Sequence, residues 1–240
     1  MSRIVQKRAL RGSQKWLQLC ASEFPLVLSE PVARSISVVP VSVTWLSPIE
    51  SDDFAEYRDS DFLEKLGVSL NTRSLLEFWP KGGPVWDGLG RTENGDLLLV
   101  EAKAHIGEIK SSASQASPAS LERIQTALRE TQHYLGVDQT IDWSGRYYQY
   151  TNRLAHLYFL REVHQLPAWL VFVYFVNDTD MSGPGTKEEW GDAIKDMKSA
   201  LGLPENHLLS EYVIDLYVDV NGLPTDPPLV LRKATQKEHF

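Results

Sequence analysis

The sequence predicts an α/β protein with a mixed central sheet flanked by helices. Three observations carry this. The run A-W-L-V-F-V-Y-F-V over residues 168–176 is the most apolar stretch of the chain and has the length of a strand buried on both faces. Two segments ahead of it, 119–135 and 146–165, repeat apolar residues at helical spacing, so that strand follows helices and is expected to be central and parallel to a neighbour. Upstream, Asn94-Gly95 parts two apolar stretches in the manner of an antiparallel hairpin.

Taken in order, the basic start carries Arg3, Lys7, Arg8, Arg11 and Lys15 without an acid and leads into a helix over 13–22, whose apolar face holds Trp16, Leu17, Leu19 and Cys20. These charges read first as a solvated arm and second as contacts to a phosphate backbone. Residues 35–45 alternate and are rich in β-branched side chains, but Pro40 has no N–H to give a ladder, so an edge strand or a bulged one is expected. An acidic helix is predicted over 52–66, packing through Phe54, Phe62, Leu63 and Leu66 and stopped by Gly67. R-S-L-L-E-F-W over 73–79 reads as the first core strand, with Glu77 inside it and the K-G-G-P turn beyond Pro80. The hairpin arms follow over 85–91 and 96–104.

Residues 105–120 are polar and long for a connection, which predicts a loop over a site or a mobile segment. The two helices and the apolar strand come next. Thr186 and Glu189 then have capping-box spacing for a helix reaching residue 201, and E-Y-V-I-D-L-Y-V-D-V over 211–220 predicts a half-exposed edge strand. The tail from Asn221 carries three prolines and no repeat. The chain reads as a single domain over 1–240: a core over 51–176, an N-terminal helix and strand over 1–50, and a C-terminal helix-strand extension over 177–240.

The chemistry concentrates in the hairpin. The buried run Leu97-Leu98-Leu99-Val100 passes straight into Glu101 and Lys103. A two-residue loop would set Asp87 opposite Ala102, on the wrong face. A three-residue loop, Glu93-Asn94-Gly95, places Gly95 at a left-handed position and Asp87 opposite Glu101, with Lys103 one alternation along the same face. A bulge at Gly88 or Gly90 would give an equivalent shift. Two carboxylates at cross-strand distance repel unless a cation lies between them. A divalent cation with oxygen ligands answers this, and the Ala102 carbonyl adds a ligand. Lys103 beside it can position or deprotonate a water, or steady charge growing on a phosphate.

At these residues the chain resembles the PD-(D/E)XK nuclease superfamily, the restriction-endonuclease-like proteins, whose signature is an acid on one strand and E-x-K or D-x-K on the next. Asp87 matches the first acid, Glu101 the second and Lys103 the lysine, within a resemblance covering 51–176. It departs from the pattern at Trp86, which precedes the first acid, with Pro84 three positions ahead of that acid. The resemblance implies an αβββαβ core, Mg2+ (or Mn2+) held by Asp87 and Glu101, a lysine that assists hydrolysis, and a nucleic-acid substrate, DNA before RNA. It also makes Glu56 a candidate further acid, from the helix ahead of the first core strand; Glu77, between apolar residues of the predicted 73–79 strand, reads either as an additional metal ligand or as a side chain facing water. The competing expectation is a noncatalytic binding or regulatory protein on the same fold.

Other polar groups carry weaker signals. His105 and Glu108 stand near the motif. Gln149, Asn152, Arg153 and His156 form one stripe on the 146–165 helix, read either as a hydrogen-bonded seam or as the lining of a groove. Asp178 and Asp180 have ordinary loop chemistry. The net charge of −8 argues against coating nucleic acid through bulk electrostatics and leaves room for a local basic groove. Cys20 is the sole cysteine, which excludes an intramolecular disulfide and a thiolate zinc site. No nucleophile elbow or phosphate-cradling glycine loop favours a small-molecule hydrolase. No apolar run has the length of a membrane span and no signal-type h-region follows the basic start, so a cytoplasmic protein with no membrane partner is expected. An exposed edge strand would permit a homodimer.

Overall fold

A computed structural model describes residues 2–223, organised around a five-stranded mixed sheet. The chain opens with a short strand, β1 (Arg3–Ile4), and the expected first helix, α1 (Gly12–Ser22). A second helix, α2 (Leu26–Ile36), was not legible: Pro31 lies inside it, where proline ordinarily argues against a helix. The strand expected over 35–45 is confined to β2 (Val43–Ser47), which begins only after Pro40. It is a sheet edge and is bulged between Trp45 and Ser47, in keeping with its sequence.

The acidic helix expected over 52–66 is broken. A 3-10 turn (Glu50–Asp52) is followed by β3 (Glu56–Tyr57), which pairs with β1, and by α3 (Asp59–Lys65). Asp53 and Phe54 adopt φ of 52° and 48°, left-handed conformations that a right-handed helix cannot contain. Gly67 ends α3 at φ 65°, as predicted. A second correction concerns residues 73–79, which form no strand. Their centre is a one-turn helix, α4 (Leu75–Phe78), capped by Ser74. The Glu77 N–H donates to Ser74 Oγ at 3.3 Å and the Ser74 N–H donates to Glu77 Oε2 at 2.7 Å, so S-L-L-E is a capping box. Glu77 is committed to that box and exposed, which removes it as a ligand candidate.

The hairpin follows as β4 (Gly88–Thr92) and β5 (Leu97–Lys103), then α5 (Pro118–Tyr134) and α6 (Tyr148–Tyr158), which runs on into a π-type turn over Phe159–Val163. The remaining elements are β6 (Ala168–Val176), α7 (Lys187–Ala200) and β7 (Val213–Asp219). The strand order is β2-β4-β5-β6-β7; β2, β4 and β5 are antiparallel, and β6 lies parallel to both β5 and β7. The most apolar run is thus an interior strand, as its composition predicted, and it is parallel to both neighbours where a parallel pairing with one was expected. β7 alternates buried with half-buried residues at the opposite edge.

Strand alternation sorts the two faces. Leu98, Val100 and Ala102 of β5 pack with Val171 and Val173 of β6 against Leu17 and Cys20 of α1 and Leu28 and Val32 of α2. Leu97 and Leu99, with Leu170 and Phe172, face Leu128 of α5, Leu154 and Leu157 of α6 and Met197 of α7. Glu101 and Lys103 continue this second set, so the charged end of β5 is turned toward α6. Among the described residues no helix is long and apolar enough to cross a membrane.

Candidate active site

The hairpin turn fixes the site. β4 and β5 pair Gly88 with Val100 and Arg91 with Leu97, and the Thr92 N–H donates to the Asp96 carbonyl at 3.0 Å. That closes a three-residue loop in which the Gly95 N–H donates to the Thr92 carbonyl at 3.0 Å and Gly95 adopts φ 92°. The same register carried one pair further sets Asp87 across from Glu101. Asp87 lies just before β4, and its Oδ2 takes the place of a ladder carbonyl, accepting the Ala102 N–H at 2.8 Å. A strand residue presents its N–H and C=O to the same side, so the Ala102 carbonyl also points past the end of β4.

Glu101 is 1 % exposed, and both its oxygens are engaged. Oε2 accepts from Arg153 Nε at 2.7 Å and Nη2 at 2.5 Å, while Oε1 accepts from Lys103 Nζ. Lys103 donates in turn to Gln149 Oε1 at 2.9 Å. Arg153, 3 % exposed, also donates to the Val85 carbonyl at 2.6 Å and to Asn152 Oδ1 at 3.0 Å, and its guanidinium lies 4.7 Å from the Trp86 ring. Trp86, the departure before the first acid, therefore seats the arginine that holds the second.

These contacts divide the polar stripe of α6. Gln149, Asn152 and Arg153 line the cleft with Asp87, Glu101 and Lys103. His156 turns away into a box formed by Phe62, Phe78, Trp79 and Trp86, its Nδ1–H donating to the Asn152 carbonyl at 2.8 Å. Both expectations for the stripe hold, each over part of its length. The role of Arg153 was missed, although a buried arginine on an apolar helix requires a partner and Glu101 was in need of one.

The carboxyls of the pair are driven apart. Burial opposes the charge of Glu101, but Arg153 and then Lys103 outweigh it and hold the group below its ordinary range. Asp87 is pushed up to about 8, first by burial and next by the Glu101 charge, against the pull of Lys103, Arg153 and the Ala102 amide. Glu56 lies on β3 rather than on a helix. Its oxygens accept from Gln14 at 2.9 Å and Gln6 at 3.0 Å; burial raises it, and the Glu101 charge adds to this.

The cleft has a volume of about 720 Å3. Of the 105–120 stretch, expected to be a loop over a site or a mobile segment, Glu108 and residues 110–115 border the cleft: a 3-10 turn (Ile106–Ile109) is followed by a strap that lines the opening, and the stretch ends inside α5. Glu108 caps the end of β5 by accepting the Ala104 N–H at 2.5 Å, and His105 stands 3.8 Å from it. Asp178 accepts the Trp16 indole N–H at 2.8 Å, a structural bond between α1 and the end of β6.

Among the described residues no three His, Cys, Asp or Glu side chains form a metal-binding group. The available set is Asp87, Glu101 and the Ala102 carbonyl. All three are oxygen donors and suit a hard cation that retains several waters, provided Glu101 frees an oxygen from one of its cationic partners. Comparison with known protein families, curated proteins and solved structures found no match.

Proposed function

We propose that this cleft is the active site of a Mg2+-dependent nuclease that hydrolyses phosphodiester bonds in DNA before RNA. One observation carries the reading: the hairpin register brings Asp87, Glu101 and Lys103 to one end of one sheet face, in a cleft also lined by Arg153. The chain order supports it. An αβββαβ order can be drawn through helices α1 and α2, the antiparallel strands β2, β4 and β5, helices α5 and α6 and the parallel strand β6, with the first helix and strand supplied by residues 12–47 in place of the segments expected over 52–66 and 73–79, and with β3, α3 and α4 inserted after β2.

Asp87, Glu101 and the Ala102 carbonyl would hold the metal, which when bound supplies a Lewis acid for a phosphate oxygen and an acidified water. Mn2+ meets the same donors. The protein's own groups do the rest. Lys103 Nζ, steadied by Gln149, is placed to orient an attacking water or to donate to the oxygen on which charge grows. Arg153 balances Glu101 and keeps the second acid ionised within a buried site. The strap over residues 110–115 narrows access to the opening.

One observation favours a second reading, a noncatalytic binding or regulatory protein: both Glu101 oxygens are satisfied by internal ion pairs. Cleavage of labelled single- and double-stranded DNA and RNA in Mg2+ or Mn2+, comparing wild type with Lys103→Ala and Asp87→Ala, separates the two. The nuclease requires metal-dependent cutting that both substitutions abolish. Equal cutting by all three proteins marks a contaminant, and an absence of both cutting and calorimetric Mg2+ binding leaves the noncatalytic reading.

A further inference from the structure

Further along the same stripe of α6, at His156, lies a second cavity of about 670 Å3, within the usual size range of ligand pockets, about 300–1,000 Å3. Leu63, Leu75 and Trp79 give it apolar walls. His156 also lines it. The ring is 1 % exposed, its Nδ1–H is committed to the Asn152 carbonyl, and Nε2 is left with no partner among the described residues. Burial pushes this histidine down to about 4, so Nε2 is an acceptor at neutral pH. A lone acceptor at the floor of an apolar cavity calls for a donor on whatever fills it.

The rim has the opposite character. Arg58 Nε is buried with no hydrogen-bond partner and makes only a long ion pair to Asp59, at 3.8 Å. Asp59 is itself occupied, accepting the N–H groups of Gly82 at 3.1 Å and Gly83 at 3.0 Å. Lys81 is exposed and makes no ion pair among the described residues. Arg73, also at the edge, is taken by Glu130 at 3.0 Å. One cation free of any ion pair among the described residues, Lys81, and one held only by a long 3.8 Å pair without a hydrogen bond to its Nε, Arg58, thus flank an apolar pocket lined by a hydrogen-bond acceptor.

We propose that this cavity is a nucleotide pocket: a base bearing a ring-edge N–H donor sits against Trp79 and gives that hydrogen to His156 Nε2, while its phosphate lies between Arg58 and Lys81. The ligand is either a free mononucleotide or one nucleotide unit of a polynucleotide. The second source rests on the nuclease reading, and the chain path suits it, because Gly82-Gly83 at this pocket runs directly into Pro84-Val85 at the catalytic cleft.

The test is calorimetric titration of the full chain in EDTA, where metal-dependent cleavage is silent, with AMP, with purine riboside monophosphate, which lacks the N–H donor, and with adenosine. AMP is expected to bind with Kd below about 1 mM, and the donorless nucleotide at least about tenfold more weakly, since it leaves Nε2 unpaired. Arg58→Gln combined with Lys81→Gln should weaken AMP about tenfold and leave adenosine unchanged. His156→Phe should remove the difference between the two nucleotides. Failure of AMP to bind wild type, or unchanged affinity in the folded Arg58/Lys81 double variant, overturns the proposal; that variant alters only rim residues and keeps the test valid should His156→Phe fail to fold. Displacement of AMP by a 5′-phosphorylated oligonucleotide assigns the pocket to a polynucleotide, and failure to displace it assigns a free mononucleotide. AMP binding without any nuclease activity would retain the pocket and reject the catalytic reading.

Discussion

Replacing Asp87 by Asn tests the electrostatics of the site without removing its hydrogen bond, because the amide oxygen can still accept the Ala102 N–H. In the folded protein the Asp87 carboxyl is pushed up to about 8 by burial and by the Glu101 charge; in the unfolded chain it titrates near about 3.9. Between those values the folded group binds a proton that the unfolded chain has released. Stability is therefore lost as pH rises through this window, at about 1.4 kcal/mol per unit, and levels off above the folded value. From about pH 6 to pH 8 the unscreened loss would be about 2.3 kcal/mol, because the slope falls to half as pH reaches the folded value. Asp87 is only half-buried and opens onto the cleft, so screening by solvent reduces this to about 1–2 kcal/mol. Urea denaturation in EDTA should show wild type losing that much relative to Asp87→Asn between the two pH values. At pH 8, Mg2+ should stabilise wild type and leave the variant unmoved. Parallel pH curves for the two proteins would refute the claim that the carboxylates oppose each other.

Arg153→Met should destabilise the fold by about 3–5 kcal/mol in urea denaturation, because it strips the buried Glu101 of one of its two cationic partners. Gly95→Ala, at φ 92°, should cost about 1 kcal/mol or more in thermal unfolding and reduce cleavage with it, since the turn sets the register of Asp87 against Glu101. Ser74→Ala should lower stability by about 1 kcal/mol in urea denaturation through loss of the capping box; a neutral result would refute the claim that the box holds α4.

What was legible in the sequence was whatever a short-range rule determines. The hairpin register follows from one glycine and a count of residues, so Asp87, Glu101 and Lys103 could be set on one face before any tertiary contact was known. The 168–176 strand declared its central place by the absence of polar alternation. The failures came where two local signals competed. R-S-L-L-E-F-W has the composition of a strand and the spacing of a capping box, and the box prevailed; the run from Asp52 reads as a continuous helix until Asp53 and Phe54 turn left-handed. Nothing in a single sequence announces a positive φ at Phe54, a residue that rarely adopts one.

Arg153 marks the boundary between local and tertiary information, and it also bears on how an acidic protein could accept the anionic substrate proposed for it. Its spacing on α6 was readable, but its meaning depended on how that helix is rotated against β5, which only packing decides. Once docked, it changes the charge of the site. Glu101 is held ionised between two cationic side chains, while Asp87, pushed to about 8, is largely protonated near neutrality. The two carboxyls then carry little more than one negative charge against two positive ones, so the centre of the cleft offers a phosphate a favourable field although the chain as a whole carries −8. A divalent cation reaching the same donors would draw Asp87 into its ionised form and release a proton as it bound. Repulsion spread over the acidic surface and attraction confined to one cleft favour a single phosphate in place over a long backbone lying across the protein, a pattern that the proposed nuclease would require and that a protein coating nucleic acid would not show.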